Sequence, residues 1–345
     1  MLEIAPDMSA AKRRLVKLKR LYPLPQGCAL HDVFMQRVIV GKLELFMVGL
    51  VADAPAAGSV TGSAADSQGF PVDRAFFELV ERLSIVLARS RAGELQVRDS
   101  RSASKGKRAV TRVFPADPTP GAIRTSLSNG VALHESWPKA CAAALCELVE
   151  RDRVLRSFRG EFAPRPVAAT DRKLTRALRS QYEIKAYEFG PRRKTRHTAA
   201  GLFLFPRKLT DPLAFGFAAA LNAEAALARA TGEALQRLAF LWGEEIPSSA
   251  PVPAPSPDYH QEHYLFPPHQ QLLRAWLAGH WPKRRPRANA RAGIAFDGEA
   301  ASFVDLTPRE LQHALSVAKA ASPRARVLRF GAPQPLQHTA PHPVA

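Results

Sequence analysis

Three cysteines in 345 residues are too few for a disulfide framework. Cys141 and Cys146 stand five apart in an alanine-rich helical pattern, a spacing that suits neither a zinc knuckle nor a redox pair, so the thiols read as small buried apolar groups in a reducing compartment. No run of about 18 apolar residues occurs, which leaves no membrane span. The basic start (Lys12, Arg13, Arg14, Lys17, Lys19, Arg20) gives way to Tyr22-Pro23-Leu24-Pro25 rather than to an apolar export core, and the expected location is cytoplasmic. A Walker-type glycine loop, a dinucleotide fingerprint and the kinase motif set are all missing. No convincing Ser-His-Asp or Cys-His arrangement appears either, and His134, His260, His263 and His269 fall at no catalytic spacing, so they read as structural or exposed.

Acidic residues are also in short supply. Thirty-one Asp and Glu face 49 Lys and Arg, a formal charge of +18 that favours an anionic partner without choosing one. The excess gathers at residues 12–20, at Arg192, Arg193, Lys194 and Arg196, and at Lys283, Arg284, Arg285, Arg287 and Arg291. None of these runs interleaves aromatic side chains as a base-stacking platform would, so nucleic acid is disfavoured as the partner and the runs read as solvated surface.

The hydrophobic content of 46% supports a sizeable core in one large domain or two intimate ones. A basic opening helix leads to residues 33–52, rich in β-branched and aromatic residues around Gly41, which predict two strands, and residues 1–52 form a first segment. A loose Ala/Gly/Ser stretch, 53–69, precedes a helix over about 71–90. Residues 91–120 read as an exposed excursion with short strands. Helices are expected over about 136–158, 171–181 and 221–243, with strands at 182–189 and in the apolar run 201–205. These alternations predict an α+β fold with mixed sheets, its core over 53–246. Five prolines in 247–257 mark a linker or loop spanning 247–258, and 259–345 forms a smaller α/β remainder with an extended tail.

The pentapeptide Glu-Leu-Val-Glu-Arg occurs twice, at Glu78–Arg82 and Glu147–Arg151, with a looser copy, Glu-Ala-Leu-Gln-Arg, at Glu233–Arg237. All three fit Ala-x-x-Glu-x-x-(Glu/Gln)-Arg, starting at Ala75, Ala144 and Ala230, and the irregular spacing favours three converging helices over a solenoid. Residues three apart share a helix face, so Glu78 with Glu81, and Glu147 with Glu150, present paired carboxylates on helices that are otherwise apolar nearly all round. Buried like charges need cations. Mg²⁺, held by one or two carboxylates and completed by substrate phosphates, is the usual answer, and Arg82, Arg151 and Arg237 are placed to neutralise spare carboxylates or grip phosphate oxygens. The competing reading is a set of ordinary surface ion pairs, to which a single copy would be assigned; three copies on apolar helices favour the site.

At this point a resemblance enters. The segment SNGVALHESWPKACAAALCELVERD (128–152) resembles the signature of the YcaO-like family, in which Ser-Asn-Gly leads through an apolar helix to Glu-x-x-Glu-Arg-Asp. RAFFELVERLS (74–84), ALARATGEALQRLAFLWGE (226–244), FVDLTP (303–308) and the Pro-His-Pro of the tail resemble further elements in the family's order, over roughly residues 60–345. The resemblance implies a YcaO-like fold whose buried acidic helices converge on an ATP and Mg²⁺ cleft. It implies phosphorylation of a backbone amide oxygen of a ribosomally made precursor peptide, with Cys, Ser or Thr cyclodehydrated to thiazoline or oxazoline. Carried over by motif position, Glu78, Glu81, Glu147 and Glu150 are implied metal ligands, and Arg82, Ser128, Asn129, Arg151, Glu233, Gln236 and Arg237 implied nucleotide contacts, with no catalytic nucleophile assigned. The implied partners are the precursor peptide, a separate leader-peptide-binding protein and a second copy of the chain in a homodimer. Three departures stand out: Arg74 replaces the family's serine four residues before the first glutamate, Ser67-Gln68-Gly69 replaces a glycine-lysine-glycine-like loop, and the tail is shorter than the fuller proline repeat of azoline-forming members. They keep open a thioamide- or amidine-forming enzyme and a catalytically silent scaffold.

Overall fold

The computed structural model describes residues 6–55, 57–117, 121, 123–169, 172–191, 195–280, 296–331 and 340–344. The basic runs at 192–194 and 283–291 and the prolines at 333 and 335 lie outside the described residues. In chain order the elements begin α1 (Pro6–Leu21), β1 (Ala29–Val40), β2 (Leu43–Ala54), β3 (Gly58–Asp66), α2 (Val72–Ser90), β4 (Glu94–Arg98), β5 (Ser104–Ala109) and α3 (Val110–Val113). Next come β6 (Ile123–Thr125), β7 (Val131–His134), α4 (Trp137–Phe158), β8 (Arg165–Val167), α5 (Arg172–Leu178), β9 (Tyr182–Phe189), β10 (Thr198–Pro206), β11 (Ala214–Ala220) and α6 (Ala223–Leu241). The chain continues through α7 (Pro257–Leu265), α8 (Gln270–Leu277), β12 (Ser302–Asp305), β13 (Ser316–Ala321) and β14 (Arg329–Gly331).

These elements form two compact units, neither continuous in sequence: Met1–Pro115 with Gly130–Leu145 and Ala301–Ala321, and Ala116–Asn129 with Cys146–Ala300 and Ser322–Ala345. The α+β class is as expected. Its sheets are mixed with helices rather than in strand direction, since every strand pair among the described residues is antiparallel.

The first unit holds the sheets β1-β2-β3 and β5-β4-β12-β13-β7. Val40 pairs with Leu43 across the two-residue turn Gly41-Lys42, and Gly41 sits at φ 60°, the positive φ that such a turn demands. Helix α2 has Asp73 in its first turn and Arg89 in its last, both signs matched to the helix dipole. Its buried face, Phe76, Leu79, Val80 and Leu83, packs with Leu15 and Leu18 of α1 and Val48 and Leu50 of β2. Each such side chain contributes about 2 kcal/mol of burial. The stretch 53–69, expected to be loose, contains strand β3 instead.

The second unit holds β11-β10-β9-β8 and the pair β14-β6. Its core is aromatic: Trp276 stacks on Phe189 with centroids 5.3 Å apart and donates its indole N–H to Ser157 Oγ at 3.2 Å. Strand β11, AFGFAAA, is fully buried and has no alternation to announce it. Helix α6 starts where Asn222 Oδ1 accepts from Ala225 N at 2.8 Å. The proline-rich stretch ends as a cap, with Ser256 accepting from Tyr259 N and Pro257 in the first turn of α7.

Candidate functional site

In the first unit, Glu78 and Glu81 occupy one face of α2. Glu78 Oε2 accepts the Ser63 amide of β3 at 2.9 Å, and its Oε1 pairs with Arg82 Nη2 at 2.6 Å. Arg82 is tied in turn to Thr61 O at 2.8 Å. Burial pushes the Glu78 carboxyl above its ordinary range, against the opposing pull of Arg82 and the Ser63 amide. Glu81 Oε2 accepts the Leu133 amide of β7 at 2.8 Å. Arg74 donates to Ala65 O at 3.3 Å and to Asp66 Oδ2 at 3.2 Å. It lines a cleft of about 570 Å³ together with Arg14, Gln68, Gly69 and Asp73.

The second unit gathers more charge. Glu147 and Glu150 lie one turn apart on α4, with Arg151 Nε 3.8 Å from Glu147 Oε1 and 3.3 Å from Glu150 Oε1. Glu150 is the most buried carboxylate of the motif set, its side chain 5% exposed. Burial holds its carboxyl well above the usual range; Arg151 pulls the other way, while Glu233 and Glu147 add to the rise. Glu233 of α6 therefore shares this charge cluster, and its Oε2 accepts the Phe217 amide of β11 at a long 3.4 Å. Arg237 lies over the Phe215 ring at 4.2 Å, and burial, with Arg151 reinforcing it, pushes its guanidinium down to about 10 against the pull of Glu233. Gln236 is half-buried on the same helix. Ser128 is exposed and Asn129 half-buried, in the turn closed by Gly130 at φ 71°.

Two atoms test whether these residues suit a phosphate-bearing, metal-bound ligand. Glu150 Oε1 and Arg237 Nη1 are both buried and make no hydrogen bond within the protein, one an acceptor suited to a cation and the other a donor suited to an anionic oxygen. The donor set therefore fits. No group of three or more His, Cys, Asp or Glu capable of holding a metal ion occurs among the described residues. Mg²⁺ does not require one, since it keeps waters and takes one or two carboxylates alongside substrate phosphates.

Two features of the second unit were not singled out in the sequence. Asp152, fully buried beside Arg151, accepts from Arg156 Nε at 2.8 and 3.0 Å, from Phe296 N at 3.1 Å and from Arg326 N at 2.8 Å, and so anchors the helix that carries Glu150. The tail is held by histidine: His260 Nδ1–H donates to His342 O at 2.9 Å, the Tyr264 hydroxyl donates to Pro341 O, and His342 Nε2–H donates to Arg329 O at 2.7 Å. Burial, then His260 and, less strongly, Arg151, push His342 down to about 3. A signal existed for the first feature, in the aspartate that closes Glu-x-x-Glu-Arg-Asp. For the second, the Pro-His-Pro of the tail stood out as a motif, but that His260 and Tyr264 would hold it had no signal, since residues 82 and 77 apart meet only in the fold.

A model of the YcaO cyclodehydratases, described as ATP- and Mg²⁺-binding, matches residues 107–326, well over half of the chain. The chain belongs to the YcaO family. ATP and Mg²⁺ are the cofactors by which that family is described. Among solved structures, YcaO from Methanopyrus kandleri bound with AMPPCP and Mg²⁺ is similar over 91% of this chain and 89% of its own, at 16% identity and a TM-score of 0.58. A heterocyclase in complex with substrate and cofactor matches 91% of this chain at 14% identity and a TM-score of 0.59; the match spans 52% of that longer protein. A chain of the E. coli microcin synthetase McbBCD complex matches 84% of this chain and 87% of its own, at 13% identity and a TM-score of 0.54. At these identities the likeness is one of fold. No curated protein matches the chain. No helix among the described residues is long and apolar enough to cross a membrane.

Proposed function

We propose that this YcaO protein uses ATP and Mg²⁺ to activate backbone amides of a ribosomally made precursor peptide, converting Cys, Ser or Thr residues to thiazolines or oxazolines. The observation that carries the reading is the charge cluster of Glu147, Glu150, Arg151, Glu233 and Arg237, in which a buried acceptor atom of Glu150 and a buried donor atom of Arg237 are unsatisfied. An amide oxygen is a poor leaving group. Attack by the substrate's thiol or hydroxyl on the carbonyl carbon with loss of its S–H or O–H proton, transfer of the γ-phosphoryl group to the amide oxygen, and departure of that oxygen as phosphate with loss of the amide proton would leave a C=N bond, ADP and phosphate. Glu147 and Glu150, with Glu78 and Glu81 of α2, would hold Mg²⁺, which offsets phosphate charge when bound. Arg82, Arg151, Glu233, Gln236 and Arg237 would border the phosphates, with Ser128 and Asn129 at the mouth, and stabilise charge as it shifts.

The microcin synthetase structures, one of them with pro-MccB17 bound, support a precursor peptide as substrate and delivery by a separate partner protein. A second copy of the chain, in a homodimer, is a further proposed partner. Thioamide or amidine formation would use the same phosphorylation with sulfide or an amine as nucleophile. A silent scaffold is the second reading, favoured by Arg74, whose guanidinium is engaged by Asp66 at the position of the family's serine. Calorimetric titration with a non-hydrolysable ATP analogue, with and without Mg²⁺, tests the proposal: wild type binds, and Glu78→Gln and Glu147→Gln lose the Mg²⁺-dependent part. A folded wild-type chain that binds no nucleotide overturns the enzyme reading, and salt-sensitive binding of DNA or RNA in its place points to the basic surface.

A further inference from the structure

Helices α2 and α6 are seated in the same way, although no resemblance between β3 and β11 is visible in sequence. Each unit has three antiparallel strands followed by the helix: β1-β2-β3-α2 and β9-β10-β11-α6. In the first, Gly49 of the middle strand pairs with Ser63 of the third; in the second, Gly201 pairs with Phe217. The residue before each of those partners is again glycine, Gly62 or Gly216, and there the helix backbone presses on the strand. A Cβ on Gly62 would fall 2.4 Å from Ala75 O and 2.3 Å from Leu79 N. A Cβ on Gly216 would fall 2.4 Å from both Ala230 O and Ala234 N. Ala75 and Ala230 are the opening residues of the two motifs, and both are fully buried. The next amide along each strand, Ser63 N or Phe217 N, donates to the motif's first glutamate, Glu78 or Glu233.

We infer that Gly62 and Gly216 are positioning residues of the nucleotide site, which fix the depth of α2 and α6 so that one strand amide orients Glu78 and another orients Glu233. The contacts are with main-chain atoms, which cannot swing aside. An alanine at either position makes the helix retreat by about 1 Å to restore ordinary contact, enough to stretch the Ser63–Glu78 bond beyond hydrogen-bond range. One device is then used twice, once in each unit, with Glu81 and Arg82 standing on α2 where Gln236 and Arg237 stand on α6. The assignment to nucleotide binding rests on the function proposed above; the glycine seats do not.

Gly62→Ala and Gly216→Ala are compared with Gly49→Ala, whose added methyl has the ring of the exposed Phe34, rather than a helix backbone, as its nearest neighbour. By calorimetry with Mg²⁺ and the ATP analogue, the first two should bind about 10- to 100-fold more weakly than wild type, the range typical of groups that orient metal ligands, while Gly49→Ala stays near wild type. Folded Gly62→Ala and Gly216→Ala proteins with wild-type affinity, or a Gly49→Ala protein weakened equally, would overturn the inference. Amide hydrogen exchange gives a readout independent of both ligand and glycine. In Glu78→Ala and Glu233→Ala the Ser63 and Phe217 amides should respectively lose protection, and unchanged exchange overturns the positioning even if the glycine variants fail to fold. If wild type binds no nucleotide, the proposed function falls while this exchange measurement still decides the seats.

Discussion

Acid should destabilise the second unit through the histidines that hold its tail. His260 is 1% exposed, and both its ring nitrogens are committed, Nδ1–H donating to His342 O and Nε2 accepting from Gly331 N. A second proton would sit on Nε2 facing an amide N–H. Burial, only partly opposed by these backbone bonds, pushes its pKa from 6.5 down to about 4. His263, stacked on His269 with centroids 4.0 Å apart, is also pushed to about 4, by burial first and then by His269 and His260. The folded chain therefore refuses a proton that the unfolded chain accepts near 6.5. Stability is complete above that pH and is lost as pH falls toward 4. At 1.36 kcal/mol per unit, His260 alone forfeits about 2 kcal/mol near pH 5 and about 3 near pH 4. His260 and His263 together forfeit about 6 kcal/mol near pH 4, comparable with the whole stability of many domains, and His342, pushed down to about 3, adds to the loss. Urea unfolding followed by circular dichroism between about pH 7.5 and 4.5 measures this for wild type and His260→Gln, whose amide does not titrate. The variant should lose less stability on acidification by His260's share, whatever its stability at neutral pH. Parallel pH dependences for the two proteins would refute the reasoning.

Asp152→Ala should lower stability by about 3–5 kcal/mol, read from urea midpoints, because it strands buried donors on Arg156, Phe296 and Arg326. Asp152→Asn, which keeps an acceptor, should lose less. Arg237→Lys, which gives up the planar face over Phe215, should weaken Mg²⁺-dependent nucleotide binding about tenfold with little change in melting temperature. Cys141, 1% exposed, has its thiol pushed up to about 12 by burial, then by Asp305 and Asp99, and should resist alkylation at neutral pH until the chain is denatured; prompt labelling of the native protein would contradict its placement.

The three motif helices were legible because each has a long apolar pattern interrupted by charge at fixed spacing, a signal that survives without tertiary context. The Gly41 hairpin was legible for the same local reason. Strands β3 and β11 were not. GSVTGSAAD falls in the stretch that reads as loose, and AFGFAAA in one that suggests no element, because small residues have weak strand preference. Their smallness answers to something elsewhere in the chain, a helix backbone that leaves no room for a side chain at Gly62 or Gly216. Nor could the sequence reveal that β12 and β13 pair with β4 and β7, some 200 residues earlier, since pairing between distant antiparallel strands leaves no local trace.

The repeated motif therefore carries two demands at once, and separating them changes how its carboxylates are counted. Alanine at the first position serves packing, which by itself would make the repeat structural. Glu78, Glu81 and Glu233 each engage a main-chain amide with one carboxylate oxygen, at Ser63, Leu133 and Phe217. Those bonds orient the group before any ligand arrives, which is what a metal or phosphate site requires of its ligands. Glu150 is different: among the described residues its Oε1 makes no hydrogen bond, and it lies 3.3 Å from Arg151 Nε while Glu233 and Glu147 add to the negative charge around it. Burial at that position works against the ionised form, and Arg151 offsets it only in part, so a bound cation would meet an unfilled demand. A fold selected only for packing would place glutamine or leucine there. The choice between surface ion pairs and a metal site thus narrows from four glutamates to one, and Glu150 is where the two readings differ most in physical terms.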